Sequence, residues 1–198
     1  MNTSQPKPHL EVVHQPTDIN ADWPSEPQIA AWGPAHQLVG ALMRLSAAAA
    51  RGIIEIVPAE AMEGHNTRWA YELIAHLVQE GRDPGPVAVL AAGRRRAGSR
   101  ALNPQAPPRA TAHHKLAVYL AGAYTDCVSP AAAADYARDV LDEDYRRVLA
   151  EEATRMQQLA ECGADLVDLV AEVAASQQRI AHSLHAAQTA ARTGWWQQ

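Results

Sequence analysis

Between residues 34 and 124 the apolar positions recur at helical spacing. In "PAHQLVGALMRLSAAAARGIIEIV" Leu38, Leu42 and Leu45 share a face, and Gly52 is expected to break the run. In "GHNTRWAYELIAHLVQEGR" Trp69, Leu73, Ile74, Leu77 and Val78 form one stripe, with Asn66 or Thr67 placed to cap its start and Gly81 its end. "PGPVAVLAAGRRR" fits a short helix opened by Pro86, whose missing N–H costs nothing in a first turn. The loop 93–111 then leads to "AHHKLAVYLAGAYTDC", a helix with Leu116, Tyr119, Leu120 and Tyr124 inward.

Beyond residue 128 the period continues over much longer stretches. Ser129 is placed to cap and Pro130 to take the first helical position, and the helix should run to Cys162 and stop at Gly163. A helix of about thirty residues spans roughly 45 Å. Asp165 begins a second one, in which Leu166, Val173, Ile180 and Ala187 recur every seven residues, as do Val170, Gln177 and Leu184. Such a heptad seam predicts helix-on-helix packing. Tyr145, Leu149, Met156 and Leu159 supply the matching stripe, so the two helices predict an antiparallel hairpin turning at "CGAD". The alternative is a further pair within a single bundle. In the hairpin, Val140, Leu141 and Val148 are left for another surface, on a second copy or another partner.

The expected fold is all-α: a small multi-helix globular head over 35–128, then a long antiparallel helical hairpin over 129–191. Residues 192–198 read as a tail. Residues 1–34 carry Pro6, Pro8, Pro16, Pro24, Pro27 and Pro34, each of which removes a backbone donor and biases its predecessor away from helix. That stretch is expected to be a disordered tail, tacked down at most by Trp23 or Trp32.

Composition narrows the function classes. Hydrophobic residues make up 47% but aromatics only 5%, with no Phe, so alanine-rich helix packing is favoured over a bulky sheet core. The net charge of −5 argues against general attraction to nucleic acid or acidic membranes. No apolar run approaches the roughly 20 residues of a bilayer span. The N-terminus has no signal pattern, and Cys127 and Cys162 are isolated thiols. A cytoplasmic protein is the expectation.

Locally the charge is uneven. Arg94, Arg95, Arg96, Arg100, Arg109 and Lys115 fall in a stretch, 94–115, that holds no acid. Residues 126–172 hold twelve acids against Arg138, Arg146, Arg147 and Arg155. The basic loop can meet nucleic-acid phosphate, let protomers dock head to hairpin, or simply be solvated.

Catalytic signals are missing. A phosphate-cradling loop needs a lysine after glycine, and the two lysines, Lys7 and Lys115, do not follow one. His113 and His114 are adjacent and diverge on a helix, while His182 and His185 lack a carboxylate at ligand spacing. No catalytic residue, metal site or cofactor is expected.

The ordered segments resemble the N-terminal domain of DnaB-type replicative helicases. "LVGALM", residues 38–43, resembles that domain's first-helix segment. In "GHNTRWAYELIAHLVQEGRDPGPVAVLAA" His65, Leu77, Gly81 and Leu90 fall in the family's register. In "YLAGAYTDCVSPAAAADYARDVLDEDYRRVLAEEA" Tyr136, Val140, Arg147 and Leu149 keep its spacing. Departures are His36 where an acid is usual, Met62 near an expected aromatic, and a longer, more basic head loop at 93–110. The resemblance covers about 35–191 and implies the family's assembly and partner-binding module without its ATPase motor. It implies a hairpin-mediated homodimer or larger ring, and contact with replicative helicase, primase or helicase loader. The interface residues implied are Tyr136, Val140, Leu141, Tyr145, Val148, Leu149, Met156, Leu159, Leu166, Val170, Val173, Ile180 and Leu184. The competing expectation is a nucleic-acid-binding protein, with DNA held by the arginine loop 94–109 and Lys115.

Overall fold

A computed structural model describes residues 32–163 and 165–197. The prolines from Pro6 to Pro27 and Trp23 lie outside the described residues, and Trp32 is exposed. The chain is all-α: α1 (Pro34–Leu42), α2 (Ala47–Ile56), α3 (His65–Gln79), α4 (Pro86–Gly93), α5 (Ala110–Asp126), α6 (Ala133–Glu161) and α7 (Leu166–Ala190). Single 3-10 turns stand at Ala59–Ala61, Pro130–Ala132 and Trp195–Gln197.

Helix α3 is the centre of the head. Trp69, Leu73, Ile74, Leu77 and Val78 are all buried, as their spacing requires. Tyr71 is buried too, its hydroxyl donating to the Val57 carbonyl at 2.7 Å. Around them pack Leu38 and Leu42 of α1, Ile53 of α2, and Leu116 and Leu120 of α5. Each large aliphatic side chain so buried contributes about 1.5–3 kcal/mol. Gly81, at φ +72°, ends α3 as predicted: Arg82 N–H reaches the Leu77 carbonyl and Gly81 N–H the Val78 carbonyl.

Three helix starts differ from expectation. The first apolar run breaks at Arg44–Ser46 rather than at Gly52. Ser46 Oγ accepts from Ala49 N–H at 3.2 Å, and α2 runs straight through Gly52. Helix α3 begins at His65, after Gly64 at φ +78°, so Asn66 and Thr67 lie within its first turn and do not cap it. Ser129 makes no capping bond, and Pro130 opens a 3-10 turn before α6 begins at Ala133.

The expected boundaries also move. Ala133, Ala134, Ala137, Val140 and Leu141 are buried in the head core, so no boundary falls at 128/129. The start of α6 is a head helix, and only its later turns form the hairpin. The described part of the expected tail, 192–197, is not free either: Trp195 is 3% exposed and Trp196 packs against the same core. The glycine inside α2 explains how. A Cβ on Gly52 would lie 2.2 Å from the Trp196 carbonyl oxygen, so the absence of a side chain lets the C-terminal turn close onto α2. Gly40 does the same for α1 and α5, where a Cβ would meet the Ala123 carbonyl at 2.1 Å.

Candidate protein-interaction site

Helix α6 ends at Glu161, and Gly163, at φ +69°, reverses the chain as the sequence predicts. The hairpin is antiparallel and its seam is largely polar. Glu152 of α6, 5% exposed, receives Ser176 Oγ at 2.6 Å. Arg179 grips the same carboxylate with Nε and Nη2, each at 2.7 Å, and reaches Glu172 at 2.6 Å. These bonds hold the Glu152 carboxyl at about 2, with Arg179 the largest cause, Ser176 next, and burial acting against them. They raise the Arg179 guanidinium above its ordinary value, through Glu152 first and Glu172 second. Two turns nearer the head, Asp144 accepts Ser183 Oγ at 2.9 Å and is paired with Arg147. Nearer still, Arg138 Nε donates to the Ala190 carbonyl at 3.0 Å.

Positions 138, 144 and 152 thus meet 190, 183 and 176. The α7 positions facing α6 are Ser176, Ser183 and Ala190, the residues of that helix most fully buried. The predicted seam is rotated from this one. Val173, Ile180 and Leu184 are half-buried, but Leu166 and Val170 are exposed. On α6, Tyr136, Tyr145, Val148, Met156 and Leu159 are half-buried, and Leu149 is 43% exposed. Val140 and Leu141, expected at an outer surface, are fully committed to the head core instead. Serine and carboxylate positions do not register in an apolar heptad pattern, which is why that pattern misses this stripe. Its signal was the seven-residue spacing of Ser176, Ser183 and Ala190.

The consequence is a bare apolar patch at the tip. Leu166, Val167 and Val170 are 70%, 74% and 61% exposed within one turn of α7, next to the reversal. They lie on the side of the helix that the polar clamps do not occupy.

The basic loop is split by its own folding. Arg100 and Arg109 border one cavity with His65 and Trp69, while Arg95 and Arg96 border a separate one with Glu72 and Gln105. Arg94 and Lys115 are exposed and border neither. Among the described residues no group of three or more His, Cys, Asp or Glu is placed to hold a metal, and Cys127 and Cys162 are both unbridged. No described helix is long and apolar enough to cross a membrane.

A helical head running without a break into a long antiparallel hairpin is the architecture these contacts define. It is the fold of the DnaB helicase N-terminal domain. The chain is similar to the crystal structure of the N-terminal domain of DnaB helicase from Mycobacterium tuberculosis, with a TM-score of 0.57 and 24% identity. The match covers 75% of this chain and 94% of that one. At this identity the likeness is one of fold. No family model matches the chain, and no curated protein does.

Proposed function

We propose that this chain is a non-enzymatic, replication-associated protein-interaction module. It self-associates through the hairpin and contacts a replicative helicase, a primase or a helicase loader in the cytoplasm. The observation that carries the reading is the tip of α7. The hairpin is held together by buried polar clamps, so Leu166, Val167 and Val170 are not needed inside it and remain exposed. The resemblance to DnaB-type helicases in the sequence adds the expectation that such a hairpin meets another hairpin.

Light scattering on the full chain tests this. Wild type should gain mass with concentration, and Val167→Asp/Val170→Asp should remain monomeric with its helix content intact. A strict monomer at high concentration removes self-association. Failure to co-elute with helicase, primase or loader removes the replication partner.

A second reading has its own support. Arg94, Arg95, Arg96, Arg100, Arg109 and Lys115 are all exposed, and none makes an ion pair among the described residues. DNA affinity that falls steeply with salt, and vanishes when these six are neutralised, would favour it.

A further inference from the structure

The loop between α4 and α5 is pinned in place. Trp69 Nε1 donates to the Arg96 carbonyl at 3.0 Å, and Ser99 N–H donates to Glu72 at 2.9 Å, with the Ser99 hydroxyl on the same carboxylate. Gly98 lies flat on Trp69, where a Cβ would come within 3.0 Å of the side chain. The loop therefore forms a fixed wall, and behind it, against the starts of α3 and α5, is a cavity of about 480 Å³. That lies within the roughly 300–1,000 Å³ of small-molecule sites.

The lining is one-sided in charge. Arg100, Arg109 and His65 border the cavity and no acid does. Neither arginine has a hydrogen bond or ion pair among the described residues. The first-turn residues Thr111 and Ala112 of α5, a 17-residue helix that no side chain caps, border it as well. Their helix end adds free N–H groups and the positive end of its dipole. Apart from Asn103 the remaining wall is mostly apolar, with Pro107, Pro108 and a fully exposed Leu102. The charge of Arg100 is also felt outside the cavity: after burial it is the next cause that pushes the Arg68 guanidinium below its ordinary value, while Arg68 Nη2 stays bonded to the Glu60 carbonyl.

We propose that this cavity binds a small organic phosphate of mononucleotide size. Arg100, Arg109 and the start of α5 hold the phosphate, and Leu102, Pro107 and Pro108 take the flat ring. Binding involves no hydrolysis, and it stands independently of the hairpin reading.

The test is calorimetric titration of the full chain with AMP, adenosine and inorganic phosphate. AMP should bind, adenosine should not, and phosphate alone should bind more weakly than AMP. Arg100→Gln/Arg109→Gln should weaken AMP by at least about tenfold, since two charge-assisted contacts are lost. Arg94→Gln/Arg95→Gln removes the same charge outside the cavity and should change AMP affinity by less than about twofold. No AMP binding at about 10 mM overturns the proposal. So does adenosine or phosphate binding as well as AMP, or an equal loss in both double variants. The three wild-type titrations decide the matter even if a variant misfolds.

Discussion

Arg179 of α7 holds Glu152 of α6 through two hydrogen bonds of 2.7 Å, across the full width of the hairpin. The Glu152 carboxyl sits at about 2 against an ordinary 4.5. A depressed carboxylate stabilises the fold above its unfolded value and loses that contribution as pH falls through the folded one. The thermal midpoint should therefore drop between about pH 4.5 and pH 2. Glu143 acts in the opposite sense and at higher pH: its carboxyl is raised by burial, then by Glu63, Asp139 and Asp142, so the fold gains as pH falls through that raised value toward the ordinary 4.5, before the Glu152 loss sets in. Glu152→Gln should lower the midpoint at pH 7 and flatten the acid transition. A transition of equal depth in wild type and variant, followed by circular dichroism, would assign it elsewhere.

Gly52→Ala should push the C-terminal turn off α2, because the Trp196 carbonyl occupies the space a methyl needs. Overpacking of this kind costs about 1–3 kcal/mol. The tryptophan emission should move to the red as Trp195 loses its cover. Unchanged emission with an unchanged midpoint would show that the turn closes without that contact.

Leu141→Ala should cost about 2–5 kcal/mol and weaken head and hairpin together in one transition. The reason is that Leu141 belongs to the head core although it lies on a hairpin helix. Val170→Asp, on an exposed position, should stay within about 0.5 kcal/mol of wild type as a monomer. Two separate unfolding transitions in differential scanning calorimetry would mean that the head and hairpin fold independently.

The chain should turn over no ATP by itself, since neither Lys7 nor Lys115 follows a glycine. Steady phosphate release that persists through repeated purification would contradict this.

What could be foreseen depended on distance along the chain. The α3 stripe, the Gly81 cap and the Gly163 reversal are set by neighbours a few residues away, and the sequence shows them directly. Gly52 is different, because its requirement comes from a carbonyl 144 positions later. A glycine in mid-helix looks like a breaker until that partner is known. The burial of Asp144 and Glu152 likewise depends on serines and an arginine on another helix, so both read as solvated acids. For the cavity, the acid-free run of arginines was legible. That Arg100 and Arg109 border it while Arg95 and Arg96 border a separate one follows from Trp69 and Glu72 fastening the loop.

The polar clamps also act as an alignment key. An apolar seam of alanines and valines tolerates sliding by a heptad, since one small side chain replaces another at little cost. Two carboxylates that find hydroxyl partners only at Ser176 and Ser183 do not. A slipped hairpin would leave Asp144 or Glu152 without its partner across the seam, which disfavours the slipped register. The two helices therefore meet at one offset, and the distance from the head to Leu166, Val167 and Val170 is fixed as on a ruler.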